Sequence, residues 1–88
     1  LVVAQYEPLA WRDQAYGREQ RRLSAHVLAC ARTASLATLD LYDATDRAVR
    51  ADGYDAIFVG YHLTARGNHV TAEAIAADLR RLGWLNAP

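Results

Sequence analysis

The apolar and polar positions of this chain change period along its length. Leu1 to Tyr6 is a short apolar run containing Val2 and Val3. Apolar side chains on both faces predict a buried strand of a parallel sheet. Glu7-Pro8 ends that run, because proline has no amide hydrogen for a ladder. Leu9, Ala10 and Trp11 follow as a loop that packs locally. Asp13 suits an N-cap, and from there the period lengthens to that of a helix reaching about Ala31. Tyr16, Leu23, Val27 and Cys30 or Ala31 form its expected inward face, and Arg18, Glu19, Arg21 and Arg22 its solvent face. Gly17 weakens the first turn by up to about 1 kcal/mol relative to alanine.

Ser35 to Leu41 predicts a second strand, with Ala37, Leu39 and Leu41 on one face and Leu36, Thr38 and Asp40 on the other. Asp43 suits the N-cap of a shorter helix to about Ala51, with Ala44, Ala48 and Val49 inward. Gly53 stops it. Tyr54 to Val59 reads as a further extended apolar segment. Thr64 caps a last helix whose inward stripe is Ala72, Ile75, Ala76, Leu79 and Leu82, with Glu73, Asp78 and Arg81 toward water. Gly83 ends that helix, and Trp84 and Leu85 are expected to fold back as an apolar anchor. The order strand, helix, strand, helix, extended segment, helix predicts the α/β class, with a parallel sheet, helices on its faces and right-handed crossovers.

Composition narrows the function. The chain is 52% hydrophobic and 23% charged, with formal net charge zero and one cysteine, Cys30. These values predict a globular chain. No apolar run approaches the roughly 20 residues that span a bilayer. All ten basic residues are Arg, and Arg18, Arg21 and Arg22 form the one cluster, interrupted by Glu19. Without concentrated positive charge, nucleic-acid binding is not expected. Cys30 sits among Leu28, Ala29 and Ala31 and reads as a buried, inert thiol. A single cysteine allows neither an internal disulfide nor a thiolate zinc site. The chain contains no Met, and two or three strands are few for a covered sheet. Both features suggest a segment of a longer protein, and 88 residues are marginal alone.

The chemistry concentrates at His62-Leu63-Thr64-Ala65-Arg66-Gly67-Asn68. A histidine just before a capped helix can hold its imidazole at the rim of a sheet. His62 is the candidate site histidine, and Tyr61 beside it is either a packing residue or the candidate substrate-binding residue. Gly67 is read as permitting close approach of the helix entrance, and Asn68 as holding the His62 loop. His62 and His69 would need a third ligand to hold a metal. No carboxylate is read as completing such a site, so no metal or cofactor is expected. His26 reads as a surface or half-buried residue. The absence of Lys removes a P-loop, and no Gly-x-Gly-x-x-Gly supports a dinucleotide fold.

The run His62-Leu63-Thr64, then Gly67-Asn68, then Ala72-Glu73-Ala74-Ile75, resembles the closing motif of the SGNH (GDSL-type) hydrolases. The specific motif covers about fifteen residues, and the segment from Leu1 to Asp40 fits the same order of elements. The resemblance implies that residues 1–88 are the C-terminal part of one SGNH-hydrolase-like domain, within a three-layer α/β/α flavodoxin-like sandwich. It also implies an esterase or lipase in which His62 takes a serine proton and returns it to the leaving alcohol. Two departures stand out. The family aspartate three residues before the histidine is Val59 here, with Asp55 and Asp40 as candidate substitutes. No Gly-Asp-Ser turn is present, and Ser24 and Ser35 sit in a predicted helix and at a strand start. A serine and oxyanion donors from upstream residues or another chain are therefore expected. The alternatives are a catalytically inactive binding domain, and a fragment completing a sheet supplied by another chain.

Overall fold

The parallel pairing predicted from the first two apolar runs forms, but over three residues only. In the computed structural model, which describes residues 1–86, β1 (Val2–Ala4) pairs with β2 (Thr38–Asp40). Ala87 and Pro88, the last residues of the expected domain, lie outside the described residues. A 3-10 turn (Pro8–Trp11) and α1 (Gln14–Thr33) connect the two strands. There follow α2 (Tyr42–Asp52), a single turn α3 (Tyr54–Ile57), the antiparallel pair β3 (Phe58–Val59) and β4 (His62–Leu63), and α4 (Ala65–Arg81).

Helix makes up 65% of the structure and strand 12%, and the two strand pairs remain separate. The expected three-layer α/β/α sandwich is therefore not what this chain builds. The third apolar segment explains the difference. Gly53, at φ 92°, ends α2 and immediately precedes α3, so Tyr54–Ile57 coil instead of extending. Ile57 and Phe58 are 0% and 3% exposed although adjacent. A strand with one covered face would alternate. Here the change from helical to extended backbone between the two residues lets both enter the core. They join Ala48, with Trp11, Leu63 and Val70 packed around them.

Helix α1 begins where predicted, with the Asp13 carboxylate accepting from the Tyr16 amide at 3.0 Å. Its inward face is not the predicted one. Leu23 and Val27 are 50% and 58% exposed, and Cys30, expected to be buried, is exposed. Ala31, the predicted alternative to Cys30, is buried, together with Gly17 and Leu28, which were not predicted. The stripe has turned by about one residue, roughly 100° of helix. Gly17 sets that rotation: a Cβ there would lie 2.5 Å from the Ala10 carbonyl oxygen, so helix and 3-10 turn meet backbone to backbone.

The end of α1 carries strain. Ser35 has φ 60°, and the Leu36 amide reaches back to the Ala31 carbonyl at 3.0 Å, closing the helix with a left-handed residue. That conformation costs a non-glycine residue about 1–2 kcal/mol. Part of this gain is offset by the looser unfolded chain that glycine brings. Ser35→Gly is expected to raise the melting temperature by roughly 3–6 °C, for a net gain of about 0.5–1 kcal/mol. A lower midpoint by calorimetry would show that the serine side chain offsets its own strain.

An aromatic group joins the two halves. Trp11 stacks on Tyr42 with centroids 5.5 Å apart, meets Phe58 at 5.3 Å, and donates its indole hydrogen to Asp46 at 3.0 Å. Burial works against the charged Asp46 carboxylate. The bonds from Arg50 and Trp11 outweigh it and hold the group below the usual carboxylate range. Arg21, exposed as expected, also lies over the Tyr42 ring at 4.0 Å. At the start of α2, Asp40 rather than Asp43 accepts from the first amide, Tyr42 N, at 2.9 Å. Leu41 precedes that helix and is 2% exposed.

The layers are thinly covered. β1 is half-buried rather than buried. Of the predicted α4 stripe, Ile75, Ala76, Leu79 and Leu82 are half-buried and Ala72 is exposed. Trp84 and Leu85, expected as an anchor, are 56% and 43% exposed. The radius of gyration is 13.7 Å, against about 12 Å for a compact chain of this length. Accessible surface is 5914 Å², against about 5100 Å² from the scaling of folded monomers. Among the described residues, no helix is long and apolar enough to cross a membrane.

Candidate functional site

His62 stands beside the turn of a two-residue hairpin. Phe58 pairs with Leu63 and Val59 with His62, leaving Gly60 and Tyr61 as the turn. Gly60 has φ 56° at the first central position, the place of glycine in a type II′ turn, whose twist suits antiparallel strands. Directly paired residues share a face, with Cβ atoms about 4.5–5.5 Å apart. The valine three positions before His62 is thus its cross-strand neighbour. A carboxylate at that position would sit beside the ring, and a methyl-bearing side chain cannot accept from it.

The hairpin is tied to the helices on either side. The Thr64 hydroxyl donates to the Ala56 carbonyl at 2.6 Å and accepts from the Gly67 amide at 3.1 Å. The Thr64 amide donates to the Ile57 carbonyl at 2.9 Å. Thr64 therefore caps α4, as predicted, and also pins β4 to α3. Gly67 permits close approach, as predicted, but what it approaches is the end of α3. A Cβ there would lie 2.4 Å from the Ile57 carbonyl oxygen and 2.9 Å from Leu63 Cδ2. His62 is thereby carried on a backbone held from two sides.

The imidazole is exposed and lines an open groove of about 500 Å³, together with Tyr6, Glu7, Tyr61 and Asn68. Tyr6 is 6% exposed and donates to Asp40 Oδ2 at 3.2 Å. Burial first, and then the Asp40 carboxylate, push its phenol pKa up, so it stays protonated at neutral pH. Glu7 accepts from the Tyr16 phenol, a bond that raises the Tyr16 pKa. Asn68 faces the groove, and among the described residues no side-chain hydrogen bond from it holds the His62 loop. Tyr61, the expected substrate-contacting residue, is 90% exposed and lines both this groove and a second one across the hairpin.

The two carboxylates expected to replace the missing aspartate do not line the His62 groove. The Asp55 side chain is 95% exposed and lies 3.8 Å from Arg12. Asp40 accepts from Tyr6 and from the Tyr42 amide. The carboxylate that does line the groove is Glu7, read from sequence only as part of a strand stop. The available signal was its place just beyond the carboxyl end of a parallel strand, where ligands gather in α/β units. Neither serine lines the groove: Ser24 lies within α1 and Ser35 at its end. His69 pairs with Glu73 at 3.1 Å, an i,i+4 spacing readable in the sequence but passed over there. His26 is exposed. Among the described residues, no group of three His, Cys, Asp or Glu is placed to hold a metal ion. No family model, curated protein or solved structure matches this chain.

Proposed function

We propose that this chain carries the acid/base histidine of a serine ester hydrolase acting on small-molecule acyl esters. One observation carries the reading: an exposed imidazole on the wall of an open groove, mounted on a hairpin that Thr64 and Gly67 hold in place. The likeness of His62-Leu63-Thr64 and Gly67-Asn68 to the SGNH closing motif points the same way. His62 would take the proton of a serine hydroxyl as it attacks the ester carbonyl, then return it to the departing alcohol. The serine and the oxyanion donors come from outside these 88 residues, upstream in a longer polypeptide or from a second chain. The thin coverage of the fold supports this. Its excess exposed area of about 800 Å² equals what one partner loses in a standard interface.

Val59 favours a second reading, an SGNH-like domain that has lost catalysis and binds a ligand or protein. The two readings separate on a Val59→Asp variant of the catalytically complete protein, assayed with p-nitrophenyl butyrate and a fluorophosphonate probe. If the site is an esterase with a weakened base, an aspartate opposite His62 orients the ring and raises kcat by about 10²-fold or more. If it is a binding domain, the variant stays inert and the probe labels nothing, which overturns the hydrolase assignment.

A further inference from the structure

Strand β1 leaves one edge of its sheet open, since it bonds to β2 alone. The Val2 amide donates to the Ala37 carbonyl at 2.9 Å, and the Ala4 carbonyl accepts from the Leu41 amide at 3.0 Å. Backbone groups alternate in direction along a strand, so the N–H and C=O of Val3 point away from β2. Natural edges are commonly guarded by charge or proline. Leu1-Val2-Val3-Ala4-Gln5 carries neither.

The exposed stripe of α1 lies on the same side. Tyr16, Gln20, Leu23, Val27 and Cys30 fall within a helical sector of about 80°. Two of them touch the chain just beyond β1. The Tyr16 phenol donates to Glu7, and Gln20 Oε1 accepts from the Glu7 amide at 3.3 Å. Arg21 and Arg32, about 150° round the helix, reach the other way, to the Tyr42 ring at 4.0 Å and to Thr38 Oγ1 at 3.3 Å. Leu23, Val27 and Cys30 are therefore exposed on the flank of α1 beside the open edge. Glu7 is level with residues 16–20 of the helix. Val3, four residues back, lies about 13 Å further along, or about nine helical residues, which brings it level with Val27.

We infer that this edge and this flank together form the contact between two copies of the chain. The inference goes beyond the role of His62 and does not draw on it. A two-fold axis through Val3 lets its N–H and C=O pair with those of Val3 in the second copy, the antiparallel arrangement in which one residue exchanges both bonds. The two short sheets then join at a spacing of about 4.8 Å. Helix α1 packs over both β1 and β2. Its two copies therefore stand two strand spacings apart, about 9.6 Å, inside the roughly 8–10 Å at which helices pack. Val27 meets Val27 of the second copy, and Leu23 lies near its Cys30. The area also fits. The accessible surface of 5914 Å² exceeds that of a folded monomer by about 800 Å², the share that each partner buries in a standard interface.

Light scattering after size exclusion tests this on the 88-residue chain. The expected mass is twice the 9.7 kDa of one copy, falling on dilution. Val27→Glu, at a position 58% exposed, keeps the fold but sets two carboxylates against each other on the axis. It should weaken the dimer by about a hundredfold or more. Hydrogen exchange at the Val3 amide should be slow in the dimer and fast in that variant. In a Cys30→Ser background, Val27→Cys should oxidise to a covalent dimer. Ala29→Cys, exposed but turned off the stripe, should not. The contact is overturned if the chain stays monomeric at millimolar concentration or if Val27→Glu dimerises as tightly as the parent sequence. Equal exchange at Val3 in both proteins, or equal cross-linking from positions 27 and 29, would overturn it as well.

Discussion

Replacing His62 by alanine in the catalytically complete protein is expected to lower kcat for a short-chain p-nitrophenyl ester by about 10³-fold, with KM nearly unchanged. The split follows from the role. A general base acts on the proton in flight, so its loss is felt in the transition state and little in the bound ester. Folding offers no competing explanation for such a loss. His62 is exposed, lies on a two-residue strand beside a turn, and has no salt bridge or side-chain hydrogen bond among the described residues. Substitution at a surface position of this kind changes stability by no more than about 0.5 kcal/mol. Equal melting points with a collapsed kcat would assign the ring to chemistry. Turnover unchanged within about twofold, judged against the 10²–10⁴-fold that a working base contributes, would refute the assignment.

The second large effect concerns stability. Gly67→Ala is expected to destabilise the chain by about 2–3 kcal/mol, lowering its melting temperature by roughly 10–15 °C. The added methyl carbon would meet the Ile57 carbonyl oxygen at 2.4 Å and Leu63 Cδ2 at 2.9 Å. The first obstacle is backbone and cannot turn aside. Alanine's higher helix propensity recovers at most about 1 kcal/mol. That carbonyl also accepts from the Thr64 amide at 2.9 Å, so lifting α4 away strains the hydrogen bond that pins β4. The loss should therefore extend to the His62 groove, seen as broadened amide signals from residues 58–68. A variant melting within about 2 °C of the parent sequence would mean that α4 is not seated on α3 as described.

Some features were legible because they depend on near neighbours. Asp13 and Thr64 cap their helices through bonds spanning three residues, and Gly53 and Gly83 end theirs with positive φ. Each outcome is decided within one turn of chain, so sequence alone reveals it. The position of His62 ahead of a capped helix was legible for the same reason. Its pairing with Val59 follows from a two-residue turn centred on Gly60, a signal present in the sequence but masked by reading residues 54–59 as one extended run.

Other features depend on which surfaces meet, and these misled. Helix α1 presents an apolar stripe of Leu23 and Val27 that any periodicity finds, yet it turns that stripe to solvent. A contact between Gly17 and the Ala10 carbonyl, seven residues apart, holds the adjacent face inward. Cys30 is exposed for the same reason. The sheet stops at two parallel strands because the third apolar segment spends four residues on a helical turn. Glu7 enters the His62 groove because it lies just beyond β1, and which side chains it meets there is decided by tertiary packing.

By itself the sequence determined the order of the three longer helices, the caps of the first and last of them, and the presence of one histidine poised before the last. All of these rest on hydrogen bonds and steric limits between residues a few positions apart. Tertiary structure alone decided which helix faces are covered, that the sheet stays small, and which side chains share a groove with that histidine. Those outcomes turn on close backbone approach between different elements of the fold. A single absent Cβ, at Gly17 or Gly67, there outweighs a whole stripe of apolar side chains.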